Sequence, residues 1–235
     1  MNVRLPKTPV DPKLLDSNRN SPRGKRGYIW VSWVTGLLGG TAKCRWAAWF
    51  KAHYRYAKTP VNNTAELAQW TREHDELVRA RVGLLRADGW TVNVENENTF
   101  KLEGRTATLG GKPDLVAARG LPSAGILRVI DEKSGSPRES DLWQVKLYMW
   151  ALSKIDSGAT RIDGEIQYRG HSVEILAEQF VEADIEQITN VLSWVGGEEE
   201  PPRTPSLGEC EWCNIADCPD RMKTNDKVVD ARKFF

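Results

Sequence analysis

The chain has 235 residues, enough for one full core, and 33 Lys and Arg against 32 Asp and Glu give a net charge of +1. That balance excludes a surface that is basic throughout, so any nucleic-acid site must be a local patch. No apolar run is long enough to span a membrane and no secretory leader follows Met1, so a cytoplasmic protein with no membrane partner is expected.

Residues 1–27 form a basic arm, with seven Lys or Arg against Asp11 and Asp16. It is such a local patch, and it reads equally as a nucleic-acid contact or as a disordered, solvated tail. Tyr28 to Leu38 is apolar, and Gly39-Gly40 interrupts it. Thr41 to Tyr56 has a helical pattern with Cys44 at its start, and Pro60 ends it. Trp30, Trp33, Trp46 and Trp49 lie close together here; such residues mostly fill cores, though one or two could stack on bases.

A helix is expected over Asn62 to Asp88, with Asn63 as N-cap, Glu66 three residues on, and Gly89 as the stop. Its apolar stripe is read as Leu67, Trp70, His74, Leu77, Arg81, Leu84 and Leu85. His74 thus lies on or beside the buried face. Taken alone it is a core histidine more often than a metal ligand. Trp90 to Leu109 alternates as one or two antiparallel strands.

Two short apolar runs follow, each carrying charge where a buried strand should have none. Leu115 to Ala118 opens with Asp114; Ile126 to Ile130 closes with Asp131, Glu132 and Lys133. Gly120, Pro122 and Gly125 lie between them, so the runs read as neighbouring strands. Alternation puts Asp131 and Lys133 on one face and Glu132 on the other. Asp114, Asp131 and Lys133 can then converge. Two nearby carboxylates repel unless a cation sits between them, and Mg²⁺ and Mn²⁺ take such oxygens. A lysine beside the ion could orient or deprotonate a water. A lone Asp-x-Lys is more often ordinary surface charge, so the rest of the chain must carry the reading.

Ser140 can cap a helix running to about Ile155, with Leu142, Val145, Met149 and Leu152 as its stripe. Gln144 and Tyr148 stand one turn apart on a face of their own, where they could meet DNA or brace a metal site. Ile162 to Tyr168 and Ser172 to Phe180 read as strands of a hairpin, and Ala183 to Val195 as a helix. A Pro-rich loop, Gly196 to Pro205, releases the chain from the core.

The tail reads Cys210-x₂-Cys213-x₄-Cys218, and the fourth cysteine, Cys44, lies 166 residues earlier (210 minus 44). In a cytosolic chain four such thiolates favour metal over disulfides. Spacing allows either a [4Fe–4S] cluster or a Cys₄ Zn²⁺ site.

In this order the residues resemble a family. Cys44-Arg-Trp-Ala-Ala-Trp-Phe, His74, Gly-Lys-Pro-Asp114, Ile-Asp131-Glu-Lys133, Gln144-x₃-Tyr148 and the three-cysteine tail look like a RecB-type nuclease of the PD-(D/E)XK superfamily. The nearest likeness is to the iron–sulfur branch with the CRISPR-associated four-cysteine exonucleases and their phage relatives. Gly39-Gly40 depart from it, standing where a serine-led turn is usual.

The resemblance implies an α/β fold: a PD-(D/E)XK, restriction-endonuclease-like core, a mixed central sheet flanked by helices, with an iron–sulfur subdomain formed by N- and C-terminal segments. One nuclease domain would cover residues 28–220, with Cys44 and 208–220 in the subdomain and 221–235 as a tail. His74, Asp114, Asp131 and the Glu132 backbone carbonyl would hold Mg²⁺ or Mn²⁺, and Lys133 would serve the attacking water. Gln144 and Tyr148 would contact DNA. Cys44, Cys210, Cys213 and Cys218 would bind [4Fe–4S] rather than zinc. The expected activity is metal-dependent exonuclease cleavage of single-stranded DNA or DNA ends. The alternative is a non-catalytic, metal-stapled DNA-binding module acting with a protein partner in recombination or replication.

Overall fold

The computed structural model describes residues 20–24, 26–59, 64–120, 125–155 and 158–223. Most of the basic arm, Pro60, the Asn63 cap with the Glu66 side chain, the Pro122 turn and the tail from 224 lie outside the described residues. In chain order the elements are β1 (Ser21–Pro22), β2 (Gly27–Trp30), α1 (Thr35–Leu38), α2 (Arg45–His53), β3 (Tyr54–Arg55), α3 (Thr64–Ala87) and β4 (Thr91–Val94). There follow β5 (Phe100–Glu103), β6 (Ala107–Gly111), β7 (Leu115–Arg119), β8 (Gly125–Lys133), α4 (Glu139–Lys154), β9 (Ala159–Tyr168), β10 (His171–Ile175), α5 (Glu182–Val195) and α6 (Leu207–Trp212).

A five-stranded mixed sheet runs in the order β10-β9-β8-β7-β4, with β8 and β9 parallel and its other pairs antiparallel. A three-stranded sheet, β2-β6-β5, lies apart from it, and β1 pairs with β3. Helix α4 joins β8 to its parallel neighbour β9 and packs on both, as a parallel pair requires. Within β8, Val129 joins the main core with Val145, Leu147 and Ile166, whereas Ile130 joins a second cluster with Val78 and Leu85 of α3. Both faces of the strand are therefore covered, which is why Val129 and Ile130 are apolar in succession, with Arg128 before them paired to Glu165. The alternation that separates Val129 from Ile130 carries Asp131 to the α4 face and Glu132 to the α3 face.

Helix α3 ends in a Schellman arrangement. Gly89, at φ +81°, donates to Arg86 O at 3.0 Å, and Trp90 donates to Leu85 O at 3.0 Å. The helix is rotated from the stripe read in the sequence: Val78 and Leu85 are buried, whereas Trp70 is 52 % and Leu84 64 % exposed. Leu84 and Leu85 lie about 100° apart around the axis, so only one can face the sheet. Contact with Trp90, Val92 and Ile130 selects Leu85.

Other boundaries also shift. The helix expected over Thr41 to Tyr56 is confined to Arg45–His53, because Gly40 takes φ +68° before it and Tyr54-Arg55 are drawn into pairing with β1. Helix α4 starts one residue before Ser140. Its cap is made by Asp141, whose Oδ2 accepts the Arg138 N–H at 3.0 Å. Residues 90–109 hold β4, β5 and the start of β6, with a 3₁₀ turn at Glu95–Asn98 that moves the chain from the large sheet to the small one. No helix among the described residues is long and apolar enough to cross a membrane.

Candidate active site

At the end of β8, a cavity of about 640 Å³ is lined by His74, Asp114, Asp131, Glu132, Lys133 and Gln144, together with Trp70, Arg138 and Arg169. Asp114 directly precedes β7, whose Leu115 pairs with Ile130 of β8. Its carboxylate is fixed on two sides. Oδ2 accepts the Glu132 backbone N–H at 2.8 Å, and Oδ1 stands 3.5 Å from His74 Nε2. The backbone here is clamped by Asn98, buried behind it, whose Nδ2 donates to the carbonyls of Asn93, Pro113 and Asp114 at 3.0, 3.3 and 3.4 Å.

On the α4 face, Lys133 Nζ lies 2.5 Å from Asp131 Oδ2. Gln144 bridges the pair, donating from Nε2 to Asp131 Oδ1 at 2.9 Å and accepting from Lys133 Nζ at 3.2 Å. Gln144 Nε2 also donates to the Tyr148 hydroxyl at 3.3 Å, which in turn donates to Lys112 O at 3.2 Å. Tyr148 is buried and does not line the cavity; it braces Gln144 from behind. Gly111 makes room for it, since a Cβ there would fall 2.9 Å from the Tyr148 ring. Tyr148 thus stands behind Gln144 rather than on the cavity wall.

Burial pushes the Asp131 carboxyl up to about 6, against the pull of Lys133; Asp114 adds to the rise. Burial presses Lys133 down, but the adjacent Asp131 outweighs it and holds the ammonium above its usual value. The Asp114 contact raises His74. On the α3 face, burial lifts Glu132 to about 8, with Arg81 opposing.

Beneath Glu132 lies an ionic group that sequence reading missed. Glu165, 1 % exposed, pairs with Arg81 through Oε1 and with Arg128 through Oε2, the latter at 3.2 Å. The Arg81 and Arg128 Nε atoms have no hydrogen-bond partner. Charges on otherwise apolar elements were the available signal. Trp70 was missed too, because the stripe placed it inside; it lies parallel to the His74 ring, 9° between planes and 5.4 Å between centroids.

As placed, no three His, Cys, Asp or Glu side chains among the described residues stand close enough to hold one ion. The donor set is nonetheless that of a hard divalent cation: two carboxylates, an imidazole and the strand backbone. Asp131 Oδ2, Glu132 Oε1 and His74 Nδ1 are buried without a hydrogen-bond partner, and Asp131 Oδ2 has only the lysine ion pair. Residues of this chemistry fit Mg²⁺ or Mn²⁺.

The four cysteines are free thiols around a second cavity of about 870 Å³. Cys44 precedes α2, and Cys210 lies on α6. The tail is tied to the N-terminal segment by Glu209, whose Oε1 accepts the Lys43 and Cys44 N–H groups at 2.6 and 3.1 Å. An antiparallel bridge joins Lys58 to Ile215. Trp46, Trp49, Phe50, Tyr54 and Ile215 form a separate apolar cluster against Cys44, Cys213 and Cys218. Trp46 and Trp49 are wholly buried, so neither can stack on a base. Burial raises the Cys218 thiol, and the other three cysteines act on it in the same direction as neighbouring charges. The four line one cavity, and as thiolates they are of the chemistry that takes a cluster or zinc, although as placed no three of them stand close enough to hold one ion.

A family model described as the PD-(D/E)XK nuclease superfamily matches residues 39–218. No curated protein matches the chain. A solved structure titled "Crystal structure of SSO0001" is similar at 14% identity, covering 84% of this chain and 88% of that one with a TM-score of 0.42.

Proposed function

Because the chain belongs to the PD-(D/E)XK nuclease superfamily, we propose that it is a Mg²⁺- or Mn²⁺-dependent deoxyribonuclease, acting as an exonuclease on single strands or DNA ends. The observation that carries this is the meeting of Asp114, Asp131 and Lys133 with His74 at one end of the sheet. Asp114, Asp131, His74 and the Glu132 carbonyl would hold the ion. The ion would supply Lewis acidity to the scissile phosphate and lower the pKa of a water. Lys133, paired with Asp131, would orient that water and neutralise charge building on the phosphate. Gln144 keeps Asp131 and Lys133 in register, and Tyr148 holds Gln144.

In the same reading residues 28–220 are the nuclease unit, and Cys44, Cys210, Cys213 and Cys218 hold a structural [4Fe–4S] cluster. The colour of anaerobically purified protein separates this from zinc, brown against colourless.

The test of function is cleavage of linear and closed-circular single-stranded DNA with Mn²⁺, by the wild type and by Asp131→Ala. Loss of the linear substrate alone, absent in the variant, is expected. Cutting of both substrates would make the enzyme an endonuclease. Binding without cutting would refute the catalytic reading and favour a DNA-binding module.

A further inference from the structure

We propose that Trp70 is a stacking platform for one unpaired nucleobase next to the scissile phosphate, and that it makes this site select single strands or frayed ends. The inference rests on the nuclease reading above and deepens it.

Trp70 lies four residues before His74 on α3, so the two side chains sit one above the other. The indole rests on the imidazole at 9° and 5.4 Å, and the imidazole is held by Asp114 at 3.5 Å. One face of the indole is therefore fixed to a residue of the site, while the side chain as a whole remains 52 % exposed. Among the described residues the other strongly exposed tryptophan is Trp212, which lines the cysteine cavity instead. Trp70 lines the same cavity as Asp114, Asp131 and Lys133, and so does the exposed cation Arg138. A flat apolar surface beside cations is what a strand needs when it presents bases and phosphates in alternation. Within a duplex each base has both faces covered by its stacked neighbours. An unpaired base or one at a strand end can offer a face to the indole where a base inside a duplex cannot, and this links the geometry to single strands and ends.

A merely structural alternative is that Trp70 orients His74. The two roles separate by substrate as well as by variant. Binding of labelled (dT)₂₀ in Ca²⁺ and its cleavage in Mn²⁺ are measured for wild type, Trp70→Ala and Trp70→Phe. A single abasic residue is walked through the substrate. Trp70→Ala should weaken binding and raise KM by about tenfold, Trp70→Phe should recover most of the loss, and melting should change little. At one position the abasic residue should cost the wild type a similar factor and cost Trp70→Ala nothing. A fall in kcat with unchanged affinity, or equal abasic penalties in wild type and Trp70→Ala, would overturn the proposal. Failure of the wild type to cleave would overturn the nuclease reading instead, and the abasic comparison in Ca²⁺ would still decide whether a base stacks on Trp70.

Discussion

Glu165 offers the most quantitative test of how the sheet supports the site. Its carboxylate is 1 % exposed and is shared by two guanidiniums, Arg81 and Arg128, whose side chains are 21% and 22% exposed. Glu165→Gln keeps the volume and removes the charge, leaving two cations at the sheet face without the buried charge they share; the Glu132 carboxyl beside Arg81, lifted to about 8, is mostly protonated at neutral pH and offsets little of this. Glu174 stands 3.3 Å from Arg128, but it is 53% exposed and screened by water. Breaking a buried pair in this way costs about 3–5 kcal/mol, and the partial exposure of both arginines places this case near about 3. For a chain of this size that is a fall in Tm of roughly 6–12 °C. Urea unfolding and thermal melting of metal-free protein would read it directly. Replacing Arg81, Glu165 and Arg128 together by Met should restore most of the loss, because no charge is then left unpaired and the orphaned Nε atoms disappear with it. A loss below about 1 kcal/mol for Glu165→Gln, or a triple variant worse than the single one, would refute the argument.

Lys133→Ala should abolish cleavage while leaving the native fold and DNA affinity nearly intact, at some loss of stability as the buried Asp131 loses its partner; retained cleavage would falsify the lysine assignment. Stability of the metal-free protein should decline as pH rises. Asp131 is lifted from 3.8 to about 6, Glu132 from 4.5 to about 8, and His74 is also raised, so the folded state binds more protons than the unfolded one across that window. Melting against pH should therefore flatten in Glu132→Gln, and Mn²⁺ should stabilise the wild type more at pH 8 than at pH 6, since its ligands must first lose their protons. An unchanged slope in Glu132→Gln would show that the carboxyl titrates normally. Cys44→Ser should lose bound metal and lower the melting temperature, read by metal content and calorimetry on protein purified without oxygen; full metal retention would remove Cys44 from the ligand set.

Where charge interrupts an apolar run, the candidate site is legible in the sequence. Asp131 and Lys133 at the end of β8 could be assigned to one face by alternation, and the pairing of β7 with β8 follows from the short turn between two apolar runs. Helix α3 was legible as a helix but not in its rotation. Two overlapping leucine series fit a period of 3.6, and only the partner surface chooses between them, so Trp70 was assigned to the wrong side. Glu132 was noted for its carbonyl alone, because its carboxylate acquires meaning only when β9 brings Glu165 and α3 brings Arg81 beside it. Asn98 clamps Asp114 from a turn, and no periodic pattern marks such a residue. The strands β1 and β3 escaped because two-residue pairings leave almost no sequence signal.

The contacts between the Cys44 segment and the C-terminal tail also set a timetable. Cys44 and Cys210 are 166 residues apart (210 minus 44), so at about 5–20 residues per second a ribosome delivers Cys210 roughly 8–33 s after Cys44. Through nearly all of that interval the bonds from Trp46 to Glu200 and from Trp49 to Gly197, the Lys58–Ile215 bridge and the carboxylate over the Cys44 amide have no partners yet made. The strands and helices that carry Asp114, Asp131 and Lys133 all precede residue 196, so they are synthesised before the cysteine tail arrives. A reducing environment during those seconds keeps Cys44 and its aromatic neighbours available for the last segment to arrive.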